Sequence, residues 1–312
     1  MSVIFVFVDG VGLAPWGHDN PLSDAPTPAL HALLGGALTS ERTGVSTATL
    51  LRPLDATLGV AGLPQSGTGQ TALLAGINAA ALHGRHQPHV PPVALRSTLA
   101  ARNLFSRVIA AGGRATFANA FGTPYWEALA TRRVRRSASV IAAEGAGMRF
   151  RDEDDLRAGL AVTWDITGET MRIREGSVST VEAREAGARL ARLATDHDLV
   201  FFETFLTDLA GHGRLNGAAA TRSAPMPIVT QIHAAMARID GLIGGVLDAM
   251  RPGDTLVITS DHGNIESLAA PTHTRNPVPL LVTGPGVPHF TRLTSIEQVA
   301  DAIVALAQEQ QV

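Results

Sequence analysis

The stretch Val3-Ile4-Phe5-Val6-Phe7-Val8-Asp9-Gly10 decides the fold. Six apolar, β-branched or aromatic residues run without a polar alternate, which predicts a strand buried on both faces. Such strands belong to parallel sheets covered by helices on either side. Asp9 follows at once, at the carboxyl end of the strand, where open α/β sheets form their ligand crevice. Working outward, the chain alternates strand-like and helix-like segments. Thr27-Pro28 opens a helix with a capping residue and a first-turn proline. Thr68–Leu82 and Thr98–Ala111 read as helices, Arg114–Ala120 as a strand, and Glu182–Thr195 as a helix leading to the strand Leu199–Phe202. In 228–250 the apolar positions 232, 236, 239, 243, 246 and 250 form a helical stripe. Thr255–Thr259 and Pro279–Val282 are strand-like, and Ile296–Ala307 makes a last helix. The fold class is α/β with a largely parallel sheet.

Between Phe121 and Ser179 this rhythm weakens, and charges cluster in 131–136 (TRRVRR) and 149–157 (RFRDEDDLR). The expected organisation is a core of residues 1–120 plus 180–312 carrying a small cap or lid at 121–179.

Composition removes whole classes of function. The 312 residues are 45% hydrophobic and 17% charged, with a formal net charge of −3. That fits a packed globular chain and gives no electrostatic footprint for nucleic acid or membrane surfaces. No apolar run approaches the roughly 18–20 residues of a membrane span. The first residues lack a basic region ahead of the apolar run, so a cytoplasmic location without a signal peptide is expected. Cysteine is absent, which excludes disulfides, thiolate metal sites and cysteine nucleophiles. All 25 basic residues are arginine. Without lysine there is no Schiff-base chemistry, pyridoxal phosphate anchor or P-loop lysine.

What remains is a set of oxygen and imidazole groups at strand ends. Asp9 is joined by Asp208 and His212 in TFLTDLAGH, four apart and so on one helical face. Asp261 and His262 follow the strand Thr255–Thr259, with Gly263 free to bend past them. His273 stands just ahead of the strand at 279–282. Ser66 and Thr68 lie among glycines where an apolar helix begins, and free backbone N–H groups there favour an anion. No G-x-S-x-G or neighbouring base activates Ser66 as in a triad, which leaves metal activation. Three carboxylates, three imidazoles and one hydroxyl suit two divalent ions roughly 3.5–4 Å apart, a recurring phosphoryl-transfer device. Mixed Asp/His ligands suit manganese or zinc, with magnesium a further candidate.

The order of these motifs resembles the alkaline phosphatase superfamily, in its metalloenzyme branch of cofactor-independent phosphoglycerate mutase and phosphopentomutase. The matching stretches are VDGVG, HDNPLSDAPTPALHALL, GLPQSGTGQTALLAGINAA, DLAGH, SDHGNIES and THTRNPVPLLV. The resemblance implies a three-layer sandwich with helices on both faces of the sheet. It also implies one metal at Asp208, His212 and His273 and a second at Asp9, Asp261, His262 and the Ser66 oxygen, with Ser66 phosphorylated in turnover. Two positions depart from the pattern. Gln70 stands where the mutase has a histidine four residues after its serine, and the mutase lysine is missing.

The expected function is two-metal phosphoryl transfer on a small phosphorylated metabolite through a phosphoserine, with hydrolysis favoured. A phosphomutase is the runner-up, and a non-catalytic metal-binding protein is the alternative of another class. A sulfatase is disfavoured because QSGTGQ lacks the Pro and Arg of the sulfatase motif. Thr68 and Arg85 are candidate substrate contacts. His83, His86 and His89 read as a polar loop, because Pro88, Pro91 and Pro92 interrupt any helix that could align them. TRRVRR reads as a solvated face, and His18, His31, His197 and His233 as ordinary residues.

Overall fold

A computed structural model of the chain describes residues 1–46, 48–169, 179–215, 226–270 and 272–309. Seven strands form one sheet: β1 (Val3–Val8), β2 (Gly44–Val45), β3 (Thr49–Leu54), β4 (Ala115–Phe117), β5 (Leu199–Thr204), β6 (Thr255–Thr259) and β7 (Val278–Thr283). Their order across the sheet is β2-β3-β7-β6-β1-β5-β4. β6, β1, β5 and β4 pair in parallel, while β7 is antiparallel to both β6 and β3. Five strands therefore run one way and β2 and β7 the other.

β1 shows why the opening stretch has no polar alternate. Val3, Phe5 and Phe7 belong to one hydrophobic cluster, and Ile4, Val6 and Val8 to a second. Successive side chains point to opposite faces of a sheet, and here each face has its own core. The first face is covered by α2 (Ser66–Ala75), α3 (Ala79–His83), α4 (Arg96–Ala101), α5 (Leu104–Ala110), α7 (Ala138–Gly145) and α12 (Gln298–Glu309). The second is covered by α1 (Pro28–Leu34), α9 (Ala183–Leu193), α10 (Leu206–Gly211) and α11 (Ile228–Ala249). This is the three-layer sandwich. Among the described residues no helix is long and apolar enough to cross a membrane.

Several local expectations need correction. The helix expected over Thr68–Leu82 stops at Gly76, whose φ of 65° only glycine adopts without strain, and restarts at Ala79 behind the Asn78 cap. Thr98–Ala111 divides likewise, because Asn103 accepts from Ser106 N and closes a capping box. Thr27 makes no side-chain cap. The Asp240 carboxylate of α11 instead takes the N–H groups of Ala29 (3.0 Å) and Leu30 (2.8 Å). Arg114–Ala120 shortens to the three residues of β4.

The described residues of 121–179 are divided between core and surface, and 170–178 of the expected cap lie outside the described residues. α7 is buried along Ala138–Ala143 and packs on α2, α4 and α5, so it is part of the helical layer. Arg151 donates to Thr116 Oγ1 in β4 (3.1 and 2.9 Å), and Arg149 pairs with Asp155 at 2.8 Å. The charge cluster at 149–157, which contains α8 (Glu153–Arg157), thus braces itself and the sheet edge. α6 (Thr123–Ala130), which has no buried residue, and the exposed arginines after it form the outer part, where Arg136 pairs with Glu144 at 2.7 Å.

Candidate metal centre

Local sequence sets each side chain in place. Asp9 and Asp261 emerge beyond the carboxyl ends of the parallel neighbours β1 and β6. Asp208 lies on the short helix α10 that follows β5 and His212 is its C-cap, one turn on, with His212 Nε2 3.4 Å from Asp208 Oδ1. His273 precedes its strand rather than following it. It still reaches the crevice, because the reversal of β7 brings its start to the end where the parallel strands finish.

Two groups of ligand atoms converge: Asp9, Asp261 and His262, and Asp208, His262 and His273. His262 belongs to both. Its Nε2 is 3.3 Å from Asp9 Oδ1, 3.6 Å from Asp261 Oδ2 and 3.0 Å from Ser66 Oγ. His273 Nε2 is 3.5 Å from Asp208 Oδ1, and the His262 and His273 rings stack with centroids 3.7 Å apart. His273 Nδ1 lies 2.8 Å from the Pro64 carbonyl. A hydrogen on Nδ1 leaves Nε2 free as a ligand atom. Every residue expected at the site except Thr68 and Arg85 is therefore gathered within one crevice.

Thr68 is fully buried. Its hydroxyl donates to Gln65 O and accepts from Gln87 N, so it ties the 87–90 loop to α2 instead of facing a substrate. Arg85 is exposed, with no hydrogen bond or ion pair among the described residues. His83, His86 and His89 form no third ligand group among the described residues.

Burial makes the electrostatics severe. Asp9 is held well above the usual carboxylate range by burial and then by the charges of Asp261 and Asp208. Asp208 behaves oppositely. Burial pushes it upward, but His273, His262, Asn264 and His212 bring it down to about 2. Burial lowers His262 and His212 below the ordinary imidazole value. His273 is raised: burial opposes, and Asp208 and the Pro64 carbonyl prevail. Asp9 Oδ1, Asp261 Oδ1 and His262 Nδ1 are buried and have no hydrogen-bond partner. Buried carboxylate oxygens lacking a donor, set around imidazole nitrogens, are a donor set that a divalent cation satisfies. The residues fit a metal.

Two further residues belong to this machinery and were not singled out from sequence. Glu266, nearly fully buried, accepts from Gly12 N (2.9 Å), Asn264 N (2.8 Å), Asn276 Nδ2 (3.0 Å) and Thr274 Oγ1. Asn264 in turn donates to Asp208 Oδ1 at 2.8 Å. One carboxylate thus ties together the loops that carry Asp9, Asp208, His262 and His273. Its signal was its place in DHGNIE, a charged residue directly after an apolar one.

Glu203 is the other, an acid in the apolar run LVFFET of β5. Burial carries its carboxyl up to about 8, against the hydrogen bond from Ser139 Oγ (2.7 Å) and with the help of the Asp261 charge. An acid that holds its proton more tightly when folded loses its stabilising contribution as pH rises from 4.5 toward about 8. In metal-free protein, Glu203→Gln is therefore expected to gain on the wild type by on the order of a few kcal/mol between pH 5 and pH 8. Thermal melts at both pH values check this, and a constant offset would contradict a protonated Glu203.

A model of the family described as the Metalloenzyme superfamily matches residues 1–307, and the chain belongs to that family. A 2,3-bisphosphoglycerate-independent phosphoglycerate mutase of Syntrophotalea carbinolica is 36% identical over 106 residues, 31% of this chain and 18% of that protein. A phosphopentomutase of the same organism is 32% identical over 126 residues, 40% of this chain and 28% of that one. These matches span under a third of either relative's length. Among solved structures, a cold-active alkaline phosphatase of Shewanella sp. aligns with a TM-score of 0.56 at 12% identity, covering 98% of this chain and 100% of that one. The alkaline phosphatase of the Antarctic bacterium TAB5 aligns at 0.51 and 13% identity, covering 98% of each chain. At such identities the shared feature is the fold.

Proposed function

We propose that the chain is a metal-dependent phosphoryl-transfer enzyme that hydrolyses a small phosphate monoester through phosphorylated Ser66. The observation that carries this reading is the place of Ser66. It is the first residue of α2, partly open to solvent, with its hydroxyl 3.0 Å from the imidazole common to both ligand groups. Asp9, Asp261 and His262 would hold one divalent ion, and Asp208, His212 and His273 a second. When bound, the ions would supply the positive charge that favours the serine alkoxide and neutralises the phosphoryl oxygens.

The residues of the chain do the rest. Ser66 Oγ, partly open to solvent, gives its proton to water, attacks phosphorus in line, and the ester P–O bond breaks. The departing alkoxide takes a proton from water and leaves as the alcohol. Water then attacks the phosphoserine, returning the Ser66 hydroxyl and inorganic phosphate. The Ser66 and Gly67 N–H groups of the first turn of α2 take no backbone hydrogen bond among the described residues and would be available to the phosphoryl oxygens, whereas Thr68 N is taken by the Gln87 carbonyl at 3.2 Å.

The rival is a phosphomutase, favoured by the phosphoglycerate mutases and phosphopentomutases among the relatives. A mutase must enclose its dephosphorylated product until the phosphoryl group returns. In this chain α7, from the segment expected to form a lid, is committed to the core. Among the described residues of that segment, α6 and the arginines of 131–136 lie exposed on the outside, a small amount of chain for an enclosing domain, which supports hydrolysis. Incubation with 3-phosphoglycerate and ribose 1-phosphate in the presence of Mn²⁺ separates the readings. Free phosphate is the expected product. Isomer formation without phosphate release would make the chain a mutase, and no turnover of any ester would favour a non-catalytic metal binder.

A further inference from the structure

Gln70 is the position at which the motif departs from the pattern it resembles, and the structure gives that departure a use. It lies four residues after Ser66 in α2, so both side chains share one face of the helix. α2 is pressed against the Asp261 loop there. A Cβ on Gly69 would stand 2.8 Å from the Asp261 carbonyl oxygen, so only glycine lets the helix approach this closely. In that position the buried Gln70 Nε2 donates to Asp9 Oδ2 at 3.1 Å and to Asp261 Oδ2 at 3.2 Å. One amide spans two carboxylates.

The complementary oxygens are the informative ones. Asp9 Oδ1 and Asp261 Oδ1 are the carboxylate oxygens of this group that are buried without a hydrogen-bond partner. Each carboxylate thus has one oxygen taken by the same amide and the other left over. A carboxamide carries two N–H donors and no charge at any pH. A neutral imidazole at this place would have one N–H and could tether only one of the two acids.

We propose that Gln70 is a positioning residue that fixes Asp9 and Asp261 as single-oxygen ligands, each through Oδ1, in the ion site next to Ser66. The inference rests on the metal-dependent reading above, but it concerns affinity and not turnover. Hydrogen-bond partners that orient metal ligands are worth roughly 10–100-fold in metal affinity. The site built on Asp208, His212 and His273 has its own supports, Asn264 and the Pro64 carbonyl, and does not depend on Gln70.

The test is calorimetric titration of chelator-treated protein with Mn²⁺, resolving the two binding steps. Gln70→Ala is expected to weaken one step by roughly 10–100-fold and leave the other within about twofold. Gln70→His keeps a single donor and is expected to fall between wild type and Gln70→Ala; it also serves as the folded reference should the alanine variant melt too low to titrate. Equal weakening of both steps, as general destabilisation would give, overturns the inference, and so does an unchanged isotherm in both variants. A wild-type protein that binds no Mn²⁺ would instead overturn the metal-dependent reading itself, and the inference with it.

Discussion

Ser66→Ala is expected to fold normally and to lose phosphate-ester turnover by roughly four to six orders of magnitude, as removal of a nucleophile does in a hydrolase. Among the described residues the Ser66 side chain makes one hydrogen bond, to His262, and is partly open to solvent, so alanine at a first helical position is structurally mild. Thr68→Ala makes the comparison sharp. Its hydroxyl joins Gln65 and Gln87, and its loss should cost about 1 kcal/mol of stability with turnover largely kept. Turnover of an aryl phosphate with Mn²⁺, measured beside the melting temperature, reads both effects. An active Ser66→Ala protein would move the nucleophile elsewhere.

Removal of metal is the second large effect. Asp9, Asp208 and Asp261 crowd the crevice with Glu203 close behind, and burial keeps solvent from screening them. A cation bound only by the folded chain stabilises it by about 2.7 kcal/mol when present at 100 times its dissociation constant. In a chain of 312 residues that corresponds to roughly 4 °C per ion. Chelation is expected to lower the melting temperature by that order and to abolish turnover, with Mn²⁺ or Zn²⁺ restoring both. If neither quantity responds, the crevice is not a metal site.

The parts of the molecule legible from sequence are those whose physics is local or categorical. β1 matches its expected bounds because burial on two faces leaves no polar residue to blur them. Asp9, Asp208, His212, Asp261, His262 and His273 were identifiable because acids and imidazoles at strand ends are rare enough to stand out, and the structure gathers all six. Direction was not legible. An apolar run such as 278–283 reads the same both ways, so the reversal of β7 needed its neighbours. Nor was the breaking of α2 and α3 at Gly76, because an Ala-rich helix tolerates glycine until the chain must turn. Thr68 misled because a hydroxyl beside a nucleophile looks functional, and only the fold shows Gln87 using it. His262 was expected to serve one ion, but its ring stacks on His273 and stands in both ligand groups, a relation that no spacing in the chain encodes. Glu203 reads as part of a strand, since sequence does not show that its partner is Ser139.

The sheet order also bears on how the chain is made. β1 is central, yet both of its neighbours, β5 and β6, come late, the nearer in sequence at Leu199–Thr204. A ribosome adding about 5–20 residues per second needs roughly 10–40 s to supply the roughly 190 residues that separate β1 from β5. Throughout that interval VIFVFV is an unpaired, uncharged, strongly β-prone segment outside the exit tunnel, the kind that seeds aggregation. The same continuity that makes β1 the firmest element of the finished molecule makes it the most exposed liability of the nascent one, and a natural client segment for a chaperone that binds extended apolar chain.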